Sequence, residues 1–246
     1  MVGDFLIANI TAILICMKRI LHWAKDYIHM TRHGVAMYFY LTPPKHYLGH
    51  VVKGKCSIII LPGILSRWSF MKPLADTLSR EGHPVYVVPA LGNNVLQIEE
   101  SATIVRALLD EHQIKDAVIV AHSKGGLIGK ELLEFHNDDK SIAGMVSLAT
   151  PYSGSAMASI VPHKAFKELL PTSKTMHRLN SNGSANKHII SVIPEFDNHI
   201  WAERGSYLEG ALDNVVVPVK GHHAIVFDAR VWNVVQRSIV RLCKNG

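Results

Sequence analysis

Residues 121–126, Ala-His-Ser-Lys-Gly-Gly, carry the clearest chemical signal in this sequence. They follow a short apolar run and precede a stretch of helical periodicity, so Ser123 lies where a strand turns sharply into a helix. Such a turn needs small residues two positions before and after the serine, and Ala121 and Gly125 meet that need. The turn presents the serine hydroxyl beside the free N–H groups of a helix N-terminus. The pattern predicts Ser123 as a nucleophile for acyl transfer.

A serine hydroxyl needs a general base, and the base needs an acid that fixes its tautomer. After a turn of this kind the expected chain order is serine, acid, histidine, with the acid following the next-to-last strand. The predicted strand at residues 189–193 is followed by Asp197, our choice for the acid, and Glu195 is the alternative. Asp213 precedes the last strand and would lie at its wrong end.

The base is expected after the last strand, which the apolar pattern places at residues 215–219. Gly221, His222 and His223 come directly after it. We assign His222 as the base, with His223 as the alternative. The three residue types occur in the required order, each near the carboxyl end of a predicted strand.

Acyl transfer passes through an oxyanion that two main-chain N–H groups can stabilise. The amide of Lys124 should be one donor, because it follows the nucleophile. The second should come from the loop after residues 57–61, where Gly63 allows close approach and Ile64 offers its N–H. For the Lys124 side chain there are two interpretations: it favours an anionic substrate, or it reaches solvent, which we prefer.

The elements around these residues alternate between apolar runs and helical periodicity, which predicts an α/β fold with a mainly parallel sheet and helices on both faces. In such sheets the active groups lie beyond the carboxyl ends of the strands. The predicted strands are residues 36–41, 47–52, 57–61, 84–88, 117–121, 142–149, 189–193 and 215–219. The predicted helices are residues 70–80, 98–112, 127–135 and 231–242, with a long N-terminal helix through residue 30.

The composition fits one domain with a large core, because 48% of the 246 residues are hydrophobic and 19% are charged. Three widely spaced cysteines indicate neither a disulfide framework nor a metal site, and favour a reducing, cytoplasmic location. The fifteen histidines show no metal-ligand spacing, so no metal or other cofactor is expected. No nucleic-acid-binding motif is present.

The N-terminal segment is basic, with seven Lys or Arg residues against two Asp in residues 1–55, and it holds most of the net charge of +6. Its uncharged run, residues 5–17, is shorter than the roughly 20 residues of an ordinary spanning helix. The flanking charges are reversed relative to a secretory signal. We interpret the segment as a helix that packs on the domain or lies on an anionic membrane surface, with an uncleaved anchor and a solvated basic face as alternatives.

From residue 57 onward the chain resembles the bacterial lipase/esterase branch of the α/β hydrolases. The resemblance rests on residues 61–64 (LPGI), 121–126 (AHSKGG), 149–155 (ATPYSGS), 197–200 (DNHI) and 221–223 (GHH). It implies the α/β-hydrolase fold over residues 36–246, after an N-terminal helical extension at residues 1–35. It also implies a short lid at about residues 155–186. Two departures are Pro62, where many such enzymes have histidine, and Lys124, where the residue is usually neutral.

The resemblance implies a serine hydrolase that cleaves carboxylic esters of lipid-like or apolar acyl groups through an acyl-enzyme, without a cofactor. The partner is then a small-molecule ester or lipid, with the membrane surface as a second candidate. The same residues would serve an acyltransferase, thioesterase or peptidase. A non-enzymatic, membrane-associated binding protein is the remaining alternative.

Overall fold

The computed structural model describes residues 2–200 and 205–243, and within this range the side chains of residues 2–16 and of Lys18 lie outside the description. The prediction for the apolar run at residues 5–17 therefore falls almost entirely on side chains outside the described ones. The described residues form a layered structure in which helices cover both faces of one sheet. The alternation of strands and helices predicted from the sequence is confirmed from residue 58 onward.

Within the described residues the sheet has six strands, numbered β1 to β6 in chain order. They lie side by side in the order β2-β1-β3-β4-β5-β6, and every pair of neighbours is parallel. The central strands are short, apolar and rich in β-branched residues, as expected where both faces of a sheet are covered. The strands are β1 (Ile58–Leu61), β2 (Val85–Val87), β3 (Ala117–His122), β4 (Ile142–Leu148), β5 (Ile189–Phe196) and β6 (Asp213–Lys220).

Alternate residues of β1 to β5 enter two separate cores, because successive side chains of a strand point to opposite faces, whereas the edge strand β6 buries one face only. The helices are α1 (Val2–Ala36), α2 (His46–Gly49), α3 (Lys72–Arg80), α4 (Ile98–Glu111), α5 (Lys124–Phe135), α6 (Lys164–Lys167), α7 (Lys174–Ser181), α8 (Ala224–Phe227) and α9 (Ala229–Cys243). Ile58 and Ile60 share a core with α3 and α9, whereas Ile59 and Leu61 share one with α4, α5 and α7. Each fully buried aliphatic side chain contributes about 1.5–3 kcal/mol relative to exposure.

The second half of α1 packs on the short helix α8. The His33 ring stacks on Phe227 with 3.7 Å between ring centroids, and Asp26 is fully buried against the start of α8. Among the residues that the structure describes, no helix combines the length and the apolar character needed to cross a bilayer.

The two strands predicted at residues 36–41 and 47–52 are wrong. Met37 continues α1 by donating its N–H to His33, and its own carbonyl accepts a hydrogen bond from Ser69 Oγ. Tyr47 lies in α2, where its buried hydroxyl bonds Asp76. These tertiary anchors outweigh the β propensity of the aromatic and β-branched residues, which is a weak and context-dependent preference.

Two of the three cysteines differ from the expectation based on their spacing. Cys56, just before β1, and Cys243, at the end of α9, form a disulfide with their Cα atoms 6.3 Å apart. The bond joins residues separated by 187 positions, so their spacing could not indicate it. The fold brings the end of the chain back to the start of the sheet, and only that return makes the two cysteines neighbours.

Candidate active site

Ser123 lies between the end of β3 and the start of α5, with φ 52° and ψ −123°. This left-handed backbone conformation is costly for a residue with a side chain. It is held by neighbours on both sides: the Ser123 N–H donates to Leu148, and its carbonyl accepts from Gly126 N–H and Thr150 Oγ1. A Cβ at Gly125 would collide with the Leu61 carbonyl, which explains the small residue there.

The three side chains predicted to act together lie in one hydrogen-bonded row. His222 Nε2 is 2.9 Å from Ser123 Oγ, and His222 Nδ1 is 2.9 Å from Asp197 Oδ2. Because a carboxylate only accepts, Nδ1 carries the proton and Nε2 is free to accept from the serine hydroxyl. Asp197 is itself fixed, since its Oδ1 accepts the N–H groups of His199 and Ile200 at 2.8 Å.

The charges of this row favour a basic histidine. Burial alone would lower the pKa of His222, but the neighbouring Asp197 carboxylate raises that pKa above its ordinary value. Burial would raise the pKa of Asp197, and the opposite contributions of His222 and two backbone N–H groups hold that pKa below its ordinary value. Asp197 is therefore ionised, and His222 binds a proton more strongly than a free imidazole.

The alternative residues have other partners. Glu195 is exposed, and its carboxylate lies 3.7 Å from Lys220 Nζ. His223 points its Nδ1 at Asp26 Oδ2, 2.9 Å away. Asp213 lies at the start of β6 and pairs with Arg241. The structure brings Asp197 and His222 to Ser123.

The predicted oxyanion loop lies against the elbow. A Cβ at Gly63 would be 3.0 Å from His122 Nδ1 and 3.2 Å from the Ser123 Cβ, so the loop passes closely over the nucleophile. Ile64 lines the same cavity as Ser123. Asn94 is a buried residue outside any sequence motif, and its Nδ2 donates to the carbonyl of Pro62 at 2.7 Å. It thereby holds this loop, a task that sequence reasoning missed.

The Lys124 side chain is fully buried, so the expectation that it reaches solvent is wrong. Its Nζ lies 3.3 Å from Glu168 Oε1 and also donates to the carbonyl of Leu96. The second Glu168 oxygen accepts the Ile98 N–H at the start of α4. Burial lowers the pKa of Lys124 and raises that of Glu168, although each partly stabilises the charge of the other. The side chain is thus a structural tie rather than a substrate contact.

Two further residues that sequence reasoning missed hold the His222 backbone. His122 Nε2–H donates to the His222 carbonyl at 2.9 Å, and Asn198 Oδ1 accepts the His222 N–H at 2.9 Å. His199 stacks on the His222 ring with 4.8 Å between centroids, and burial lowers the pKa of His199 to about 3. His122 lies inside the elbow motif, but the motif constrains only the serine and the small residues around it.

A cavity of about 680 Å³ opens at Ser123. Its lining is mostly apolar and comes from α1, from the loop after β1 and from the segment after β4. The lining residues include Met30, Val35, Ile64, Met157, Ile160 and Phe166. Only the first part of the predicted lid, residues 155–186, covers the cavity, because α7 packs on α5 through Arg178 and Glu131, 2.7 Å apart, and through Lys130 and Asn180.

Comparisons with known proteins give structural likeness only. No protein-family model matches the chain, and no curated protein matches its sequence. Among solved structures, the mature form of the Bacillus licheniformis lipase BlEst2 is 14% identical, with a TM-score of 0.63 over 80% of this chain and 96% of that one. Aspergillus fumigatus lipase B is 13% identical, with a TM-score of 0.66 over 78% of this chain and 54% of the other.

A third similar structure is the monoacylglycerol lipase of Paleococcus ferrophilus, 15% identical with a TM-score of 0.54. It is covered over 97% of its length, and the match spans 78% of this chain. Identities this low establish a common architecture, and the site must carry any argument about activity.

Proposed function

We propose that this chain, which has the α/β-hydrolase fold, is a serine hydrolase that cleaves carboxylic esters with an apolar acyl chain. The observation that carries the proposal is the row Ser123–His222–Asp197, with 2.9 Å at each hydrogen bond, opening into an apolar cavity. A base oriented by a carboxylate and in contact with a hydroxyl is the arrangement that activates serine.

In the proposed reaction, Ser123 Oγ attacks the ester carbonyl carbon while His222 Nε2 takes the hydroxyl proton. Asp197 stabilises the imidazolium, and the main-chain N–H groups of Ile64 and Lys124 bind the oxyanion. The tetrahedral intermediate collapses as His222 returns the proton to the leaving alcohol, which gives an acyl-serine. A water molecule then attacks the acyl-serine with His222 again as base, and the carboxylic acid and Ser123 are released. These steps need no metal or organic cofactor.

The apolar lining supports an acyl chain as the group that enters the cavity. The similar structures include a monoacylglycerol lipase and two further lipases, which favours lipid-like esters and a place in lipid metabolism. Acyl transfer to another alcohol, thioester cleavage and peptide cleavage use the same groups and are distinguished by the acceptor and the bond offered. A non-enzymatic, membrane-associated binding protein would need the cavity but no activated serine.

The test is turnover of p-nitrophenyl esters with acyl chains from acetate to laurate. We expect hydrolysis that improves with chain length, and Ser123→Ala should lose nearly all of it, by about 10⁴-fold or more, while remaining folded. Ser181→Ala, at the exposed end of α7, is the matched control and should retain activity. Transfer of the acyl group to an added alcohol would favour an acyltransferase, and hydrolysis of thioesters or peptides alone would favour a thioesterase or a peptidase. Equal turnover by Ser123→Ala would refute the proposal.

We also propose that the mouth of the cavity meets an anionic membrane surface. Its rim holds exposed apolar side chains, among them Val35, Phe39 and Ile160, which are 58%, 79% and 69% exposed. The basic N-terminal segment supplies the attraction to anionic lipid. A cytoplasmic location stays a prediction, and the Cys56–Cys243 disulfide argues against it, because such bonds are typical of oxidising compartments.

A further inference from the structure

Asp26 contacts the loop that carries His222, although it lies in α1, a segment that the family resemblance does not cover. The side chain is fully buried. Its Oδ1 accepts the N–H groups of His223 at 2.7 Å and Ala224 at 2.8 Å, and its Oδ2 accepts His223 Nδ1–H at 2.9 Å. One carboxylate from the N-terminal helix thus makes three hydrogen bonds to residues immediately after the proposed base.

The His222 loop has little freedom beside this carboxylate. Gly221 adopts φ 137°, and a Cβ there would lie 2.8 Å from the Asp26 Cγ. His222 itself is held at its N–H by Asn198 and at its carbonyl by His122. The backbone around the proposed base is therefore held by side chains from three separate parts of the chain, namely Asp26, His122 and Asn198.

The charge of Asp26 also acts on the His222 imidazole. Burial would raise the pKa of Asp26, but His223 and the Ala224 N–H hold that pKa far below its ordinary value, so Asp26 is a buried anion. Its negative charge also contributes to the raised pKa of His222. Among the described residues, five titratable side chains surround His222. They are Asp197 and His199 after β5, His122 at the end of β3, His223 in the same loop, and Asp26 from α1.

We propose that Asp26 is a positioning residue for His222, acting through His223 and the loop after β6. The N-terminal helix α1 thereby contributes to the geometry of the active site. This inference rests on the proposed function. The main effect of Asp26 is on the position of the His222 ring, because a misplacement of about 1 Å at a reacting group can lower a rate about 100-fold. His223, the alternative base, then has a task of its own, because it links Asp26 to the loop.

The same side chains resemble a cation site, since donor atoms of Asp26, His199 and His223 lie within 4.8 Å of one another. We favour the hydrogen bond, because Asp26 and His223 already satisfy each other at 2.9 Å and Asp26 also serves two backbone N–H groups. The two interpretations differ in their response to a chelator.

The experiment uses the full chain with Asp26→Asn and Asp26→Ala, and Asp228→Asn as the matched control, because Asp228 also accepts a backbone N–H near the start of a helix. Asp26→Asn keeps an oxygen for the backbone but loses the charge. We expect kcat to fall about 10- to 100-fold with KM within about threefold, and the rising limb of the pH profile to move to lower pH. Asp26→Ala should lose more activity, and the control should match the parent protein.

A second readout does not depend on turnover. In ¹⁵N-histidine NMR spectra, the Nδ1–H resonance of His223 should disappear in Asp26→Asn, and the Nδ1–H resonance of His222 should shift. Spectra of His222→Ala and His223→Ala assign the two resonances. If the parent protein cleaves no ester, the proposed function fails, and the spectra still decide whether Asp26 orients His222. Unchanged kcat, pH profile and His222 resonance in folded Asp26→Asn would overturn the proposal. So would activity lost to EDTA and restored by Zn²⁺.

Discussion

The left-handed backbone of Ser123 is the most informative detail at the scale of single residues. Such a conformation costs about 1–3 kcal/mol and persists only where the surroundings enforce it. Here the conformation is held by hydrogen bonds from the Ser123 main chain to Gly126, Thr150 and Leu148. The cost is consistent with a residue placed for chemistry, because backbone strain of this kind is concentrated at active sites.

The pH dependence of ester hydrolysis should report the proton on His222. Because Asp197 raises the pKa of His222, kcat/KM should rise with pH around a midpoint above the ordinary histidine value of about 6.5. Asp197→Asn removes that contribution, so the midpoint should move to lower pH while kcat falls about 10³- to 10⁴-fold. Asp213→Asn, which alters only a surface pair with Arg241, is the control. An unchanged profile in Asp197→Asn would exclude Asp197 as the orienting acid.

Sequence reasoning reached Ser123, Asp197 and His222 because each follows a strand in a known chain order, and their catalytic roles stay predictions until tested. It did not reach Asn94 or Asp26. Both are ordinary polar residues in sequence, and their tasks arise only when distant segments meet: Asn94 at the loop after β1 and Asp26 at the loop after β6. No local pattern encodes such contacts.

At the scale of elements, a buried ion pair joins three parts of the molecule. Lys124 opens α5, Glu168 follows α6 and the Ile98 N–H begins α4. Because Glu168 is buried and contacts both Lys124 and the Ile98 N–H, it anchors the segment after α6 to the starts of α4 and α5.

Breaking this pair should be costly, since it leaves a buried charge without its partner. Lys124→Met and Glu168→Gln should each lower the free energy of unfolding by about 3–5 kcal/mol. The double variant Lys124→Met/Glu168→Gln should lose less than the sum of the single changes, because no unpaired charge remains. Urea unfolding measures these values, with Lys167→Met, an exposed residue of α6, as a control expected within about 0.5 kcal/mol. Strict additivity would show that the two side chains are not coupled.

Element prediction succeeded where patterning and tertiary structure agree. Strands β1 and β3 to β5 read as apolar runs because side chains on both of their faces enter a core, whereas β6 reads so although only the face with Val217 and Val219 is buried. The strand predicted at residues 36–41 is wrong because aromatic residues favour a strand, yet the described structure pairs this segment with no strand and the Met37 carbonyl instead accepts a hydrogen bond from Ser69. The neighbouring Tyr38 and Phe39 stay exposed at the cavity mouth.

At the scale of the whole molecule, the predicted α/β-hydrolase fold is confirmed by the parallel sheet, by its helical layers and by likeness to solved hydrolases. The division into a helical extension at residues 1–35 and a domain at residues 36–246 stays a prediction. Asp26 and His33 contact the α8 region closely, so the second half of α1 is packed with the domain.

The disulfide joins the first strand region to the last helix and closes most of the chain into a loop. Reduction should therefore lower the free energy of unfolding by about 2–5 kcal/mol. Urea unfolding with and without dithiothreitol measures the effect. Cys56→Ser should be destabilised by a similar amount and should not respond to the reductant. A parent protein indifferent to reduction would contradict the role of this bond.

The most direct test of the central claim is labelling of the folded protein with a fluorophosphonate probe, with the labelled residue mapped by mass spectrometry. We predict a single label on Ser123, slowed at least about 10³-fold in His222→Ala, because the serine then lacks its base. Labelling at another residue, or no labelling in a sample shown to be folded, would contradict the assignment of Ser123 as an activated nucleophile.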